Sequence, residues 1–345
     1  MSARVYSFRF FRRHLCLCVA LFALFALLAQ LAAAASRDQL IEGAKKEGEI
    51  ILYASMNVEE ANAMIARFQA KYPFVKVKFN RAGNEKLLTK LFAEARAKGT
   101  FADAIQTLGF SMYTLRKKHM LGEYLSPENS FYPKEFKDEG YWTTVYTNPY
   151  ATAYNPKLVG KEQVPRSYAD LLKPMWHGKM LLEPTKVDWF AGMLQIMGKE
   201  KGLQYMRDLT KQDLMHRTGH ELLAQLIAAG EASIDVNIPA PSVDRLKRRG
   251  APIEWVAFPP APTTMVAIGI TAQPQHPNAA RLYVDFVLSR EGQKILADMG
   301  RYLARSEFMK DQAAKAKGLQ MVPVNPDSGE HLEEYTKTMR SIFGH

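Results

Sequence analysis

EIILYASMNVEEANAMIARFQAKYPFVKVKF, residues 49–79, carries the rhythm that decides the fold of this chain. Glu49 to Ala54 is apolar enough for a strand buried on both faces, as strands of parallel sheets are. Ser55-Met56-Asn57 turns the chain, and Asn57 stands at a helix N-cap with Glu60 three residues on, the spacing of a capping box. Ala61, Met64, Ile65 and Phe68 then recur at i, i+3, i+4 and i+7, which is one face of a helix. Pro73 prevents its continuation, and Val75 to Phe79 alternates as a second strand. Strand, turn, helix and strand at this pace predict a parallel sheet covered by helices.

The same unit continues toward the C-terminus. Arg81-Ala82-Gly83-Asn84 turns into a helix with Leu87, Leu88, Leu91, Phe92 and Ala95 on one side. Ala102 to Ile105 reads as a third strand, followed by a helical stretch through Tyr113 and Leu115. Between Phe131 and Tyr154 the rhythm breaks into aromatic, polar and proline residues, and β-formers from Thr143 to Tyr154 predict an extended crossover. A second α/β set runs from Met180 to Phe258, and Met265 to Ile270 returns after Pro259-Pro260-Ala261-Pro262. Two lobes joined by two extended crossings make a hinge with a cleft between them. The expected organisation is a signal peptide at 1–35, a first lobe from 36–148 and 264–306, a second lobe at 149–263, and a C-terminal helical segment at 307–345.

The N-terminus predicts export. Arg4, Arg9, Arg12 and Arg13 precede an apolar run from Leu15 to Leu28, and Ala33 and Ala35 satisfy the small-residue cleavage rule. The mature protein isolated from the cell envelope should begin at Ser36; recovery of residues 1–30 in a membrane fraction would overturn this expectation. Cleavage removes four arginines, taking the formal charge from +11 to +7, and removes Cys16 and Cys18, the chain's two cysteines. The mature chain then forms no disulfide and no thiolate metal site, and it is no cysteine enzyme. Its positive balance is spread out, without the basic stripe or module motif that nucleic-acid binding needs.

Several segments resemble the extracellular solute-binding proteins of ABC importers, in the group that includes ferric-ion, thiamine, polyamine and sugar-phosphate binders. They are Ala151-Thr152-Ala153-Tyr154-Asn155-Pro156-Lys157-Leu158-Val159, Val164 to Leu172, Trp176-His177-Gly178-Lys179, Glu183-Pro184-Thr185, and the longest, His276 to Gln293. The resemblance implies an α/β, two-lobed periplasmic-binding-protein-like fold of type II, each lobe a mainly parallel sheet flanked by helices. It further implies a monomeric, non-enzymatic periplasmic protein without cofactor, whose partners are a small-molecule solute, an ABC permease and, through it, the ATPase. Most of the shared residues read as structural: Trp176 and Leu171-Leu172 as core, Asp170 and Ser289 as helix-end residues, Gly292 as a packing position.

The resemblance also implies where ferric binders hold their metal: a histidine in the first strand–helix turn, a glutamate after the third strand, and two adjacent tyrosines in the second lobe. This sequence offers Asn57, then Gln106-Thr107-Leu108, then Asn237-Ile238-Pro239-Ala240-Pro241. Amides, proline and alanine do not replace the anionic oxygens that ferric iron requires. What remains at the turns is Ser55, Asn57, Arg81, Asn84, Thr107, Thr185, Lys186 and Asn237, a neutral and positive set suited to a small organic anion. Asp188 and Asp235, with Trp189, Tyr150 and Tyr154 nearby, suit instead a cation such as thiamine or a polyamine, and the resemblance leaves a ferric complex as a further alternative. Among other classes, a hydrolase would need more than Gly109-Phe110-Ser111, which lacks the second glycine of a nucleophile elbow. His216 and His220, four apart, would share a helix face as metal ligands only if Gly219 between them stays helical. A periplasmic sensor that hands its solute to a receptor has the same sequence features as an importer subunit.

Overall fold

The computed structural model describes residues 36–97, 102–315 and 319–344; the expected signal peptide lies outside them. Helix α1 (36–47) leads into β1 (Glu49–Ala54), α2 (Val58–Lys71), β2 (Lys76–Arg81), α3 (Asn84–Arg96), β3 (Ala104–Leu108) and α4 (Gly109–Lys117). β1 pairs in parallel with β2 and with β3, as the opening rhythm predicts. Two local details differ from expectation. Glu60 does not close the capping box, because its carboxylate is taken by Arg301 through two bonds of 2.8 Å. The third strand begins at Ala104 rather than Ala102, and Asp103 ahead of it accepts from Ile51 N at 2.7 Å and His276 N at 2.9 Å.

The chain continues through β4 (Lys137–Asp138), the long β5 (Trp142–Tyr154), β6 (Met180–Leu182), α5 (Val187–Met197), α6 (Lys199–Thr210), β7 (Met215–His216), α7 (His220–Ala229), β8 (Ile234–Pro239), α8 (Ala240–Arg248) and β9 (Glu254–Val256). It returns by β10 (Ala261–Ile270) and closes with α9 (Pro277–Leu288), α10 (Arg290–Asp298), α11 (Ser306–Lys315), β11 (Met321–Pro323) and α12 (Leu332–Phe343). The strand order is β2-β1-β3-β10-β5-β8-β6-β7. β5 and β10 are the two crossings, and they lie side by side, antiparallel, with Thr263 opposite Pro149 and Met265 opposite Thr147. The N-terminal half of β5 pairs with β10, and its last residues, Tyr150 to Tyr154, pair with β8 and β9.

Core membership changes along these crossings. Phe68, Ile105, Tyr146, Met265 and Tyr283 belong to one hydrophobic cluster. Tyr150, Trp176, Phe190, Ile234 and Phe258 belong to another, with a satellite of Leu181, Leu223, Ile227 and Ile238 beneath α7. Each core is held by its own burial, about 25 cal/mol per Å² of apolar surface, and between them only the two strands and the C-terminal stretch run on. That stretch is not wholly helical: β11 pairs with β10, and Met339 and Phe343 of α12 enter the second core.

The segments that carry the family resemblance hold this frame. Asn155 is buried and donates to Ile227 and Ala228 carbonyls at 2.8 and 3.2 Å, tying the end of β5 to α7. Ser289 caps α10, and a side chain at Gly292 would come within 2.2 Å of the Phe286 carbonyl oxygen.

Candidate functional site

A cleft of about 640 Å³ opens between the two cores. Its first wall is Arg81 at the end of β2, Gly83 and Asn84 at the start of α3, and Ser111 on α4. Thr185, Lys186 and Asp188 at the start of α5 form the opposite wall, with Thr218 ahead of α7. Leu332, Thr336, Met339 and Arg340 of α12 close a third side. Both walls sit where parallel strands end, the usual ligand edge of an open α/β sheet.

One hydroxyl relay organises the first wall. Ser55 donates to Thr107 at 3.3 Å, Thr107 donates to the Asn84 oxygen at 2.6 Å, and Ser111 donates to the same oxygen at 2.7 Å. The amide oxygen is thereby filled, and the Asn84 nitrogen, with two donors, has no protein acceptor among the described residues. Ser55 and the fully buried Thr107 thus orient Asn84 from behind and do not line the cleft. The caps of α3 and α4, Gly83 and Leu108, carry no side-chain hydrogen bond among the described residues, and both line the cleft.

Positive charge outnumbers negative on this lining, with Arg81, Lys86, Lys186 and Arg340 against Glu85 and Asp188. Among the described residues Arg81, Lys186 and Arg340 form no ion pair; Arg81 reaches only the Met56 carbonyl, at 3.5 Å. Asp188 is the buried carboxyl on this surface and accepts from Tyr150 at 2.9 Å. Burial raises its pKa, while Lys186 and the Tyr150 hydrogen bond pull the other way. Burial likewise drives the His220 imidazole well below its ordinary pKa, helped by Lys186.

Two expected ligand residues serve the fold instead. Asn57 caps α2, accepting from Glu59 N at 2.9 Å. Asn237 is fully buried and bonds the backbone of Glu183 both ways at 3.0 Å. β6 ends at Leu182, so Glu183 has no strand partner, and the Asn237 amide supplies the missing donor and acceptor. The Glu183 carboxylate in turn holds Thr185 Oγ1 at 2.7 Å and the Gly219 amide, which fixes both loops of the second wall.

Of the groups named for a cation, Trp189 packs in the second core 6.5 Å from Phe343, Tyr150 is buried there and donates to Asp188, Tyr154 packs against the same core, and Asp235 is fully buried within β8. His216 lies on β7 and His220 begins α7, so the two share no helix face; Gly219, at φ 105°, breaks the run between them. Ser111 is buried and bonded to Asn84, not to a histidine. Thr218, Thr336 and Arg340 escaped sequence reasoning altogether. Only the 3.6-residue spacing of Leu332, Thr336 and Arg340 hinted at a shared face.

Burial raises the Asp235 pKa from 3.8 to about 8, with Glu183 adding and the Asn237 N–H opposing. A carboxyl whose folded pKa lies above its unfolded value keeps its proton in the folded state, so stability falls as pH rises through that window. The slope is about 1.4 kcal/mol per pH unit for one site. Asp235→Asn should therefore flatten the dependence of urea-unfolding stability between pH 6.5 and 8; an unaltered slope in the variant would remove Asp235 as its source.

Known proteins share this fold. The profile of the family described as bacterial extracellular solute-binding protein matches residues 104–323. The Fe(3+)-binding periplasmic protein of Serratia marcescens is 24% identical over 290 residues, 81% of this chain and 82% of that protein. Iron-bound HitA from Pseudomonas aeruginosa superposes with a TM-score of 0.76 at 22% identity, covering 85% of this chain and 99% of its own. AfuA from Actinobacillus pleuropneumoniae, with exogenous fructose-6-phosphate bound, superposes at 0.72 with 21% identity, covering 85% and 97%. At these identities the structures share the fold.

Proposed function

Because this chain belongs to the bacterial extracellular solute-binding proteins, we propose that it captures a small organic anion between its lobes in the periplasm and delivers it to an ABC permease and its ATPase. The observation that carries this reading is the convergence of Arg81, Lys186 and Arg340, none of them ion-paired among the described residues, with the unfilled Asn84 amide on one cleft. Charge-assisted bonds from such groups are the strong ones, and they suit a carboxylate, phosphate ester or phosphonate. The cleft volume fits a solute of that size. Contacts from both walls exist together only when the lobes are closed, so the solute favours closure by its differential affinity.

Bare ferric ion is a poorer fit, although two of the similar proteins are named for iron. Pro239 and Ala240 stand where the family resemblance places tyrosines, and Asn57 is spent on a cap. A thermal-shift screen of the mature chain tests the reading, since a ligand that binds only the native state raises the melting point by mass action. Citrate, phosphate esters and phosphonates are expected to raise it. A shift with thiamine or spermidine alone would overturn the anion reading. A tyrosinate-to-iron absorption band on adding ferric citrate would show direct metal binding.

A further inference from the structure

We propose that Arg340, on the C-terminal helix, is a specificity-determining contact to the anionic group of the solute; this rests on the anion reading above. The chain reaches this position by crossing between the lobes a third time. β11 lies along Ala261 to Thr263 of β10, and Val324 then packs between Phe110 of α4 and Ala191 of α5. Residues 326–331 lie on α4, where Tyr113 donates to Glu330 and Lys117 approaches it at 3.3 Å. Helix α12 then returns to the second core through Met339 and Phe343, with Tyr335 6.0 Å from Phe190.

The two faces of α12 divide the labour. Phe343 is buried in the second core and Met339 stands at the border of the two faces, buried yet lining the cleft, whereas Leu332, Thr336 and Arg340, spaced i, i+4 and i+8, turn to the cleft. Arg340 is exposed and forms no ion pair among the described residues. Its place in the last helical turn offers a purely structural role, because a cation there complements the helix dipole. The cleft position gives it a second role: its planar fork presents paired N–H groups that match two oxygens of one phosphate or carboxylate.

Substitution separates these roles. Arg340→Lys keeps the charge at the helix end and loses the fork, and Arg340→Gln loses both. The mature chain, both variants and Arg81→Ala are titrated calorimetrically with fructose 6-phosphate, inorganic phosphate and citrate, and melted without ligand. The expected result is binding of at least one anion by the parent chain, weakened roughly tenfold or more in Arg340→Gln and less in Arg340→Lys, with ligand-free melting lowered at most by the small dipole contribution in Arg340→Gln. Weakening in Arg81→Ala with unchanged affinity in Arg340→Gln would overturn the Arg340 assignment and leave the anion reading standing. No binding of any of the three by the parent chain would overturn both. A fall in ligand-free melting in Arg340→Gln that Arg340→Lys restores, with equal affinities throughout, would leave Arg340 only its dipole role and end the proposal.

Discussion

Replacing Arg81 and Lys186 together by alanine is expected to lower anion affinity by about a hundredfold or more while leaving the fold intact. Each side chain faces the cleft from a different wall and forms no ion pair among the described residues. A hydrogen bond to a charged group is worth about 1.5–3 kcal/mol, or roughly tenfold to a hundredfold per residue. The two losses need not add fully, since both residues would grip one solute. Lys186 stands at the N-cap of α5, where a cation opposes the helix dipole at a cost of about 0.3–1 kcal/mol. Its removal should thus raise the ligand-free melting point slightly, the pattern of a residue kept for binding at some expense of stability. Titration calorimetry reads the affinity, and small-angle scattering reads closure: the parent chain should contract on saturation. An unchanged affinity in the double variant would take both residues out of the site, and an unchanged radius of gyration would count against hinge closure.

Glu60→Ala should be the most destabilising change near the hinge, by about 3–5 kcal/mol, the usual cost of leaving one partner of a buried pair alone. Glu60 is 3% exposed and receives Nε and Nη2 of Arg301 at 2.8 Å each. Arg301 also donates to Asn148 on the crossover at 2.8 Å and stacks 4.5 Å from the centre of the Tyr146 ring. Arg245 of the second lobe reaches the same carboxylate at 3.7 Å, so the cluster spans the lobes. Without Glu60, the buried Arg301 guanidinium loses its carboxylate, while Arg245 keeps Glu221. Urea unfolding of the ligand-free chain should show a lower midpoint. Replacing the pair together, Glu60→Leu with Arg301→Met, should recover much of the loss, because no buried charge is then left unpaired. A single variant as stable as the parent would mean that water reaches this cluster.

Sequence and tertiary structure divide the explanation along a physical line. Periodicity is local, so the β1–α2–β2 unit, the long β5 crossover and the return strand β10 were legible from residue spacing alone. The second lobe was legible as a second α/β set, and Trp176, Ser289 and Gly292 as structural positions rather than ligands. The lack of tyrosine from Asn237 to Pro241 was legible too, because it is a matter of residue type alone. What spacing could not show is which donors remain free once the fold has used the others. Asn57, Asn84 and Asn237 look alike in sequence, yet one caps a helix, one replaces a missing strand partner, and only Asn84 keeps its amide for the cleft. Glu60 left its capping box because Arg301, 241 residues away, offers a stronger partner in a buried place. Arg340 reached the cleft because the C-terminal stretch crosses between the lobes once more, a long-range event with no local signature. Local sequence set the elements and the chemistry available at their ends. Hydrogen-bond satisfaction among distant residues decided which of those groups a solute can meet.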